Sequence, residues 1–230
     1  MALFGSGTPS AKIVIDRFPL FFAPFLRLLA AAILLTPFLI YRRKQVRQIP
    51  RRDFLIIIGI GGIGLVAFSI LLLTGMRLVN GVVGAVVMSL SPAALALGSA
   101  WFMADNLGWR KILAVTLAVL GVLIINVSGK SIQASGWELM LGSCLVFGAV
   151  CSQTAYSLFG KRVLKDLTPI VVLPLAAWLA VLLFAVPGIY QATRYNFGQA
   201  NLNEWFALFW WGIGPFAMGT LIWFYGMQKV

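Results

Sequence analysis

The chain has 230 residues, of which 61% are hydrophobic and only 10% charged, and its mean hydropathy is +0.96. Soluble domains run near half apolar and a quarter charged, so a water-soluble globule is excluded. The 18 Lys and Arg against 6 Asp and Glu give a net charge of +12, which in so apolar a chain reads as membrane orientation rather than nucleic-acid binding, and the lack of histidine removes serine-type triads and imidazole metal or acid–base chemistry.

The opening, MALFGSGTPSAK, lacks the basic start, apolar middle and small-residue cleavage site of a signal peptide. Residues 2–15, short and rich in Gly and Ser, do not reach the length of a membrane span on their own. Thereafter the chain falls into apolar intervals of 18 residues or more: 18–41, interrupted only by Arg27, then 54–76, 78–104, 112–129, 139–160, 167–193 and 205–228. At 1.5 Å per residue, about 20 helical residues cross roughly 30 Å of hydrocarbon, so each interval is a predicted spanning helix. Cys144 and Cys151 fall seven apart on one helix face, about 10 Å along the axis. That is too far to bridge, and they read as small apolar packing residues. The longest connections, Tyr41 to Asp53 and Tyr190 to Glu204, leave no room for a soluble domain.

Lys and Arg accumulate in cytoplasmic loops. With Tyr41 to Asp53 inside, alternation places Arg42, Arg43, Lys44, Arg47, Arg51, Arg52, Arg110, Lys111, Lys161, Arg162, Lys165 and Lys229 inside, against Arg17, Arg77, Lys130 and Arg194 outside. Twelve against four sets the orientation. A multi-pass protein of the inner (cytoplasmic) membrane, with the lipid bilayer as a partner, is expected.

The chain also matches itself. An offset of 150 pairs Pro19 with Pro169, Pro24 with Pro174, Pro37 with Pro187, Lys12 with Arg162 and Asp16 with Asp166. An offset of 151 continues through the next helix, pairing Asp53 with Glu204, Gly61 with Gly212, and Gly75-Met76 with Gly226-Met227. The repeating unit has five helices, an odd number, so consecutive copies enter the membrane in opposite senses. The expected fold is therefore all-α integral membrane, an inverted repeat of five-helix units on a ten-helix plan. About eight helices are expected here, with the first and the last two truncated. The first repeat is placed at 1–128 and the second at 137–230.

The run RFPLFFAPFLRLLAAAILL, the helix ending in Leu73-Thr74-Gly75-Met76, the stretch SLSPAALALGSAWFMADNLGWRK and the following VTLAVLGVLIIN resemble an EamA-type domain of the drug/metabolite transporter superfamily. The resemblance covers residues 12–127 and 137–230. On it, Arg27 matches an arginine frequent in the second helix, Pro92 the proline of the fourth, and Gly121 a late glycine. Asp105 stands where the family usually has Glu, and Ala114 replaces a usual glycine. The resemblance implies ten helices with both termini cytoplasmic, a transport role and, in direction, export.

Arg27 lies about nine residues into its helix, roughly 13 Å deep. An ionisable group there is either a substrate contact, holding a carboxylate or phosphate, or a structural pair. Lys12, four residues before Asp16, reads as a local ion pair. Ser6, Asn80, Ser89, Ser91, Gln153, Thr154 and Tyr156 are the polar groups at membrane depth. Ser89 and Ser91 precede Pro92, which frees a carbonyl one turn back, either opening the backbone to a cavity or being satisfied by those hydroxyls. Gln153 and Tyr156 share a face at spacing three. Trp178, Trp223 and Tyr225 either wall a substrate or anchor the interface. The candidate substrate-binding set is thus Ser6, Arg27, Asn80, Ser89, Ser91, Pro92, Gln153, Tyr156 and Trp223.

Gly59-Ile60-Gly61-Gly62-Ile63-Gly64 satisfies GxGxxG but follows no strand, so close helix packing explains it better than a dinucleotide, as it does for Ala94 and Gly98. All six acids fall at span ends, leaving no buried carboxylate for a proton relay. An enzyme would need clustered His, Cys or carboxylates at depth, so none is expected, nor any cofactor or metal. The expected function is a permease moving a small metabolite, amino acid-like or another small organic solute, by alternating access, in the export direction. The alternatives are an importer of the same fold or a non-transporting subunit or scramblase.

Overall fold

The computed structural model describes residues 2–103 and 136–228, with isolated helical positions 109, 113, 116, 117 and 120 between them. The side chains of Ala2, Phe4, Thr8, Lys12, Phe102, Met103, Met227 and Gln228 fall outside the description. Every regular element among the described residues is helical. The elements are α1 (Ala2–Arg17), α2 (Phe22–Tyr41), the short α3 (Arg43–Arg47), α4 (Arg51–Gly59), α5 (Phe68–Leu78), α6 (Gly81–Met88), α7 (Ser91–Met103), α8 (Gly136–Val163), α9 (Pro169–Arg194), α10 (Leu202–Trp211) and α11 (Gly219–Gln228). A π-helical stretch, Ile60–Ala67, joins α4 to α5, and a second, Gly212–Met218, joins α10 to α11.

Among the described residues, six helical runs are long and apolar enough to cross a membrane: Phe22–Tyr41, Arg51–Leu78, Gly81–Trp101, Gly136–Val163, Pro169–Arg194 and Leu202–Gly226. They fall on six of the seven predicted intervals; the seventh, 112–129, is described only at positions 113, 116, 117 and 120, and Asp105, Ala114 and Gly121 lie outside the described residues. In water, β-branched runs such as Ile56–Ile58 or Val82–Val83 favour strands. In hydrocarbon nothing but the chain itself can satisfy backbone N–H and C=O groups, and a helix does so within one segment. The exterior is correspondingly apolar: Val186 is 80% exposed and Leu202 86%. Cys144 and Cys151 are free and lie on this exterior rather than packed inside, a correction to the packing role expected for them.

The described residues form two compact units, one of residues 1–66 and 159–230, the other of residues 67–158. In the first, α2 and α9 pack along each other. Their contacts run in opposite directions. The backbone N–H groups of Phe21 and Phe22 donate to Gln191 Oε1 at 2.8 and 3.2 Å, the Trp178 indole donates to Thr36 Oγ1 at 3.0 Å, and Thr168 donates to Gln45 Oε1 at 3.0 Å. Between the first two of these, Gly188 lies against Phe25. The two helices matched by the 150-residue offset are thus antiparallel neighbours, the relation expected of inverted copies.

The next pair of helices repeats the correspondence. Pro50 and Asn201 are the N-caps of α4 and α10, and Asp53 and Glu204 are each the third residue inside. The two π stretches then coincide under the 151-residue offset. Each packs on the other copy's helix. A side-chain carbon added at Gly212 would stand 2.6 Å from the Arg27 carbonyl oxygen on α2, and one added at Gly61 would stand 3.0 Å from the Ala176 carbonyl oxygen on α9. Within the GxGxxG run, Gly61 therefore serves close helix packing, with Gly59 against the Phe159 ring, whereas Gly62 meets nothing within 4 Å.

In the second unit, Leu72, Val79, Val83, Val87, Leu90, Val146 and Ala149 form the core. α5 crosses α8 at a pair of glycines: added carbons at Gly75 and Gly142 would each meet the other's carbonyl oxygen, at 2.9 and 3.1 Å. Gly98 of α7 lies against the side chains of Thr154 and Leu158 of α8. Small residues at such crossings let helices approach where no water drives them together.

Candidate functional site

The nine sequence candidates divide between the units. Ser6, Arg27 and Trp223 fall in the first, and Asn80, Ser89, Ser91, Pro92, Gln153 and Tyr156 in the second.

In the first unit the buried cation is placed by the π stretch. Arg27 sits in α2, whose apolar length contains no other charge, and only 4% of it is exposed. It therefore does not snorkel to the interface. Its guanidinium lies 4.0 Å from the centre of the Trp211 ring and 5.6 Å from that of Phe216. A desolvated guanidinium over an aromatic face is held by the ring quadrupole, worth about 2 kcal/mol. Its planar donor fork is suited to a carboxylate or phosphate, bound bidentately.

Ser6 reaches the same helix one residue earlier. Its hydroxyl donates to the Leu3 carbonyl at 2.8 Å and accepts the Trp210 indole N–H at 3.2 Å. Gly7 lies against Pro215. Pro215, inside the π stretch, has no N–H to donate, so a carbonyl of the preceding turn is left without its helical partner. Thr220 donates to the Phe216 carbonyl within the same segment. π-helical insertions occur frequently at functional sites, and irregular backbone at membrane depth is tolerated where it is buried in protein or lines a cavity. Trp210, Trp211, Phe216 and the π stretch are residues that sequence reasoning missed. The signal present was Gly212-x-Gly214-Pro215 inside a span, with Gly212 matched to Gly61.

In the second unit Pro92 opens α7 and cannot bond back to the Met88 carbonyl. The Ser91 hydroxyl takes its place, 2.6 Å from the Met88 oxygen and 3.0 Å from Gln153 Oε1 on α8. Ser89 turns to the Val86 carbonyl at 2.6 Å. The hydroxyls thus satisfy local carbonyls, one of the two readings open from the sequence, and Ser91 in addition faces Gln153. Asn80 caps α6, its Oδ1 accepting the Val83 N–H at 2.9 Å. Tyr156 is buried on α8, one turn from Gln153. Removing the Ser91 hydroxyl strands the Met88 carbonyl, so Ser91→Ala is expected to lower unfolding stability by about 1–2 kcal/mol; an unchanged melting temperature in detergent contradicts this.

The expected Lys12–Asp16 pair involves a side chain outside the described residues. Arg17, beside Asp16 in the chain, pairs with Glu204, Nε to Oε1 at 2.9 Å. Trp178 is tied to Thr36 between α2 and α9, a packing role.

Antiparallel apolar helices, two broken spans and a buried arginine against one of the breaks define a multi-pass membrane protein with the architecture of a transporter. Residues 1–127 match the EamA-like transporter family, and the chain belongs to that family. It is 22% identical over 230 residues to the uncharacterized transporter YetK of Bacillus subtilis strain 168, covering 100% of this chain and 70% of that one. To the uncharacterized transporter YyaM of the same organism it is 25% identical, covering 88% of this chain and 66% of that one. A protein named as a probable terminal-alkyne amino-acid exporter, from Streptantibioticus cattleyicolor, is 25% identical, covering 80% of this chain and 60% of its own length. The chain thus spans about two thirds of the length of these relatives. A crystal structure with 18% identity superposes with a TM-score of 0.70 over 99% of this chain and 78% of its own, a likeness of fold.

Proposed function

We propose that the chain is part of an inner-membrane permease that exports a small carboxylate-bearing metabolite of amino-acid type by alternating access. Residues 1–128 and 137–230 are its two inverted copies, and the α2–α9 pair and the coincident π stretches support that reading. The observation that carries the substrate class is Arg27, buried in a span beside the aromatic face of Trp211 and the proline-broken segment that follows it. Ser6 and Trp223 are the other candidates of the first unit. Asn80, Ser89, Ser91, Pro92, Gln153 and Tyr156 form a separate polar set in the second unit, where Ser91 contacts Gln153. The acids stand near span ends, yet Asp53 is buried at the start of α4, a correction to the expected lack of a buried carboxylate, so their placement does not favour flux down a gradient over proton coupling. The name of the Streptantibioticus relative supports export and an amino-acid substrate.

The test is counterflow into proteoliposomes holding the full-length protein, comparing labelled neutral amino acids with their decarboxylated amines. Uptake of acids with at least tenfold preference over amines is expected, since losing a charge-assisted contact costs about 1.5–3 kcal/mol. Equal uptake of both, or none of either, overturns the proposal.

A further inference from the structure

Because the antiparallel α2–α9 pair is formed by equivalent helices, its two ends can be compared position by position. Exchanging the copies by 150 residues maps Phe18 and Tyr195 onto Thr168 and Gln45. Both pairs are in contact, and their chemistry differs.

At the end where α2 begins and α9 stops, which the basic-residue distribution places outside, five rings meet. Phe18 stands 5.7 Å from Tyr195 and 5.0 Å from Trp205; Phe22 stands 5.6 Å from Tyr195 and 5.9 Å from Phe197; Phe197 stacks on Trp205 at 6.2 Å. The Arg17–Glu204 ion pair ties α1 to α10 across this cluster, and Glu204 also accepts the Asn201 N–H at 2.8 Å. Burial, then the neighbouring Glu204 carboxylate, push the Tyr195 phenol above its ordinary value against the opposing pull of Arg17.

At the other end the Phe18–Tyr195 contact is matched by a neutral hydrogen bond, Thr168 to Gln45, with the aliphatic side chains of Leu167 and Val172 buried. The counterparts of Phe22 and Arg17 are Val172 and Leu167, and a leucine cannot form an ion pair with Asp53, the counterpart of Glu204. The rings of Phe18 and Phe22 are buried under the more exposed Phe197, and their contact area is apolar, whereas a neutral hydrogen bond exchanges readily with water.

We propose that Phe18, Phe22, Tyr195, Phe197 and Trp205, with the Arg17–Glu204 pair, form the outer gate of the transporter, closing more firmly than the Gln45–Thr168 contact and holding the resting protein shut to the outside. The inference rests on the transport reading and deepens it, since a permease shut outside loads from the cytoplasm, as export requires.

The test reads access rather than flux. In the full-length protein with Cys144→Ala and Cys151→Ala, Ser10→Cys supplies a buried reporter about 10 Å below Arg17 on α1. Its reaction with a membrane-impermeant maleimide added outside is then timed. Phe18→Leu and Trp205→Leu are each expected to speed labelling about fivefold or more, and Thr168→Val to leave it within about twofold. Should a ring variant fail to fold, Arg17→Gln, at the exposed rim of the gate, is expected to give a rise of about twofold. Unchanged labelling in the outer variants, or an equal rise from Thr168→Val, overturns the gate. Faster labelling in a protein that carries out no flux keeps the gate and overturns the transport reading.

Discussion

Arg27→Ala is expected to cut substrate flux about a hundredfold per folded molecule, the largest functional effect of any single change in the chain. A charge-assisted contact with a carboxylate contributes about 1.5–3 kcal/mol, and roughly 1.4 kcal/mol corresponds to tenfold. The same substitution also removes the guanidinium from Trp211, at a cost of about 2 kcal/mol in stability. Two further variants separate these effects. Arg27→Lys keeps the positive charge but not the planar fork or the stacking face, and is expected to retain about a tenth of the flux. Trp211→Leu leaves the charge and removes the ring; a loss of stability with flux reduced less than in Arg27→Ala is expected. If flux per folded molecule is the same for wild type and Arg27→Ala, the arginine is structural and the carboxylate assignment fails.

The largest structural effect is expected at Gly212. An added methyl would stand 2.6 Å from the Arg27 carbonyl oxygen and 3.2 Å from the Arg27 Cγ, and the carbonyl belongs to a helix backbone that cannot step aside. Gly212→Ala is therefore expected to destabilise the first unit by about 3 kcal/mol, the upper end of the range for overpacking. Its counterpart Gly61 faces the Leu179 Cδ2 at 2.8 Å and the Ala176 carbonyl at 3.0 Å, and the leucine side chain can rotate away. Gly61→Ala is expected to cost less. Gly62 has nothing within 4 Å, and Gly62→Ala is expected to be neutral or slightly stabilising, because alanine favours the helix. Melting temperatures of the three variants that fail to rank in this order contradict the packing account.

How much was legible beforehand follows from which forces act locally. The spans were readable because length and apolarity alone decide whether a helix can cross hydrocarbon, and six intervals reappear as helices. The antiparallel relation of α2 and α9 was readable because three prolines in register with two charges mark the same segment twice. The GxGxxG run was readable as packing once its context lacked a strand. The π stretches were not readable: whether a glycine-rich turn winds with an extra residue depends on the helix packed against it, here α9 for Gly61 and α2 for Gly212. Nor could the sequence choose between the two roles of Ser91, because its bond to Gln153 joins segments 62 residues apart.

The sequence by itself determined that this chain lives in a membrane and that some of its helices match one another, because hydropathy and repetition are properties of each segment alone. Only the tertiary structure decided that Arg27 lies against Trp211 rather than reaching for the interface, and that two equivalent helix ends close with unlike chemistry. Those outcomes depend on which distant residues the packing brings within a few ångströms, and no local pattern encodes that.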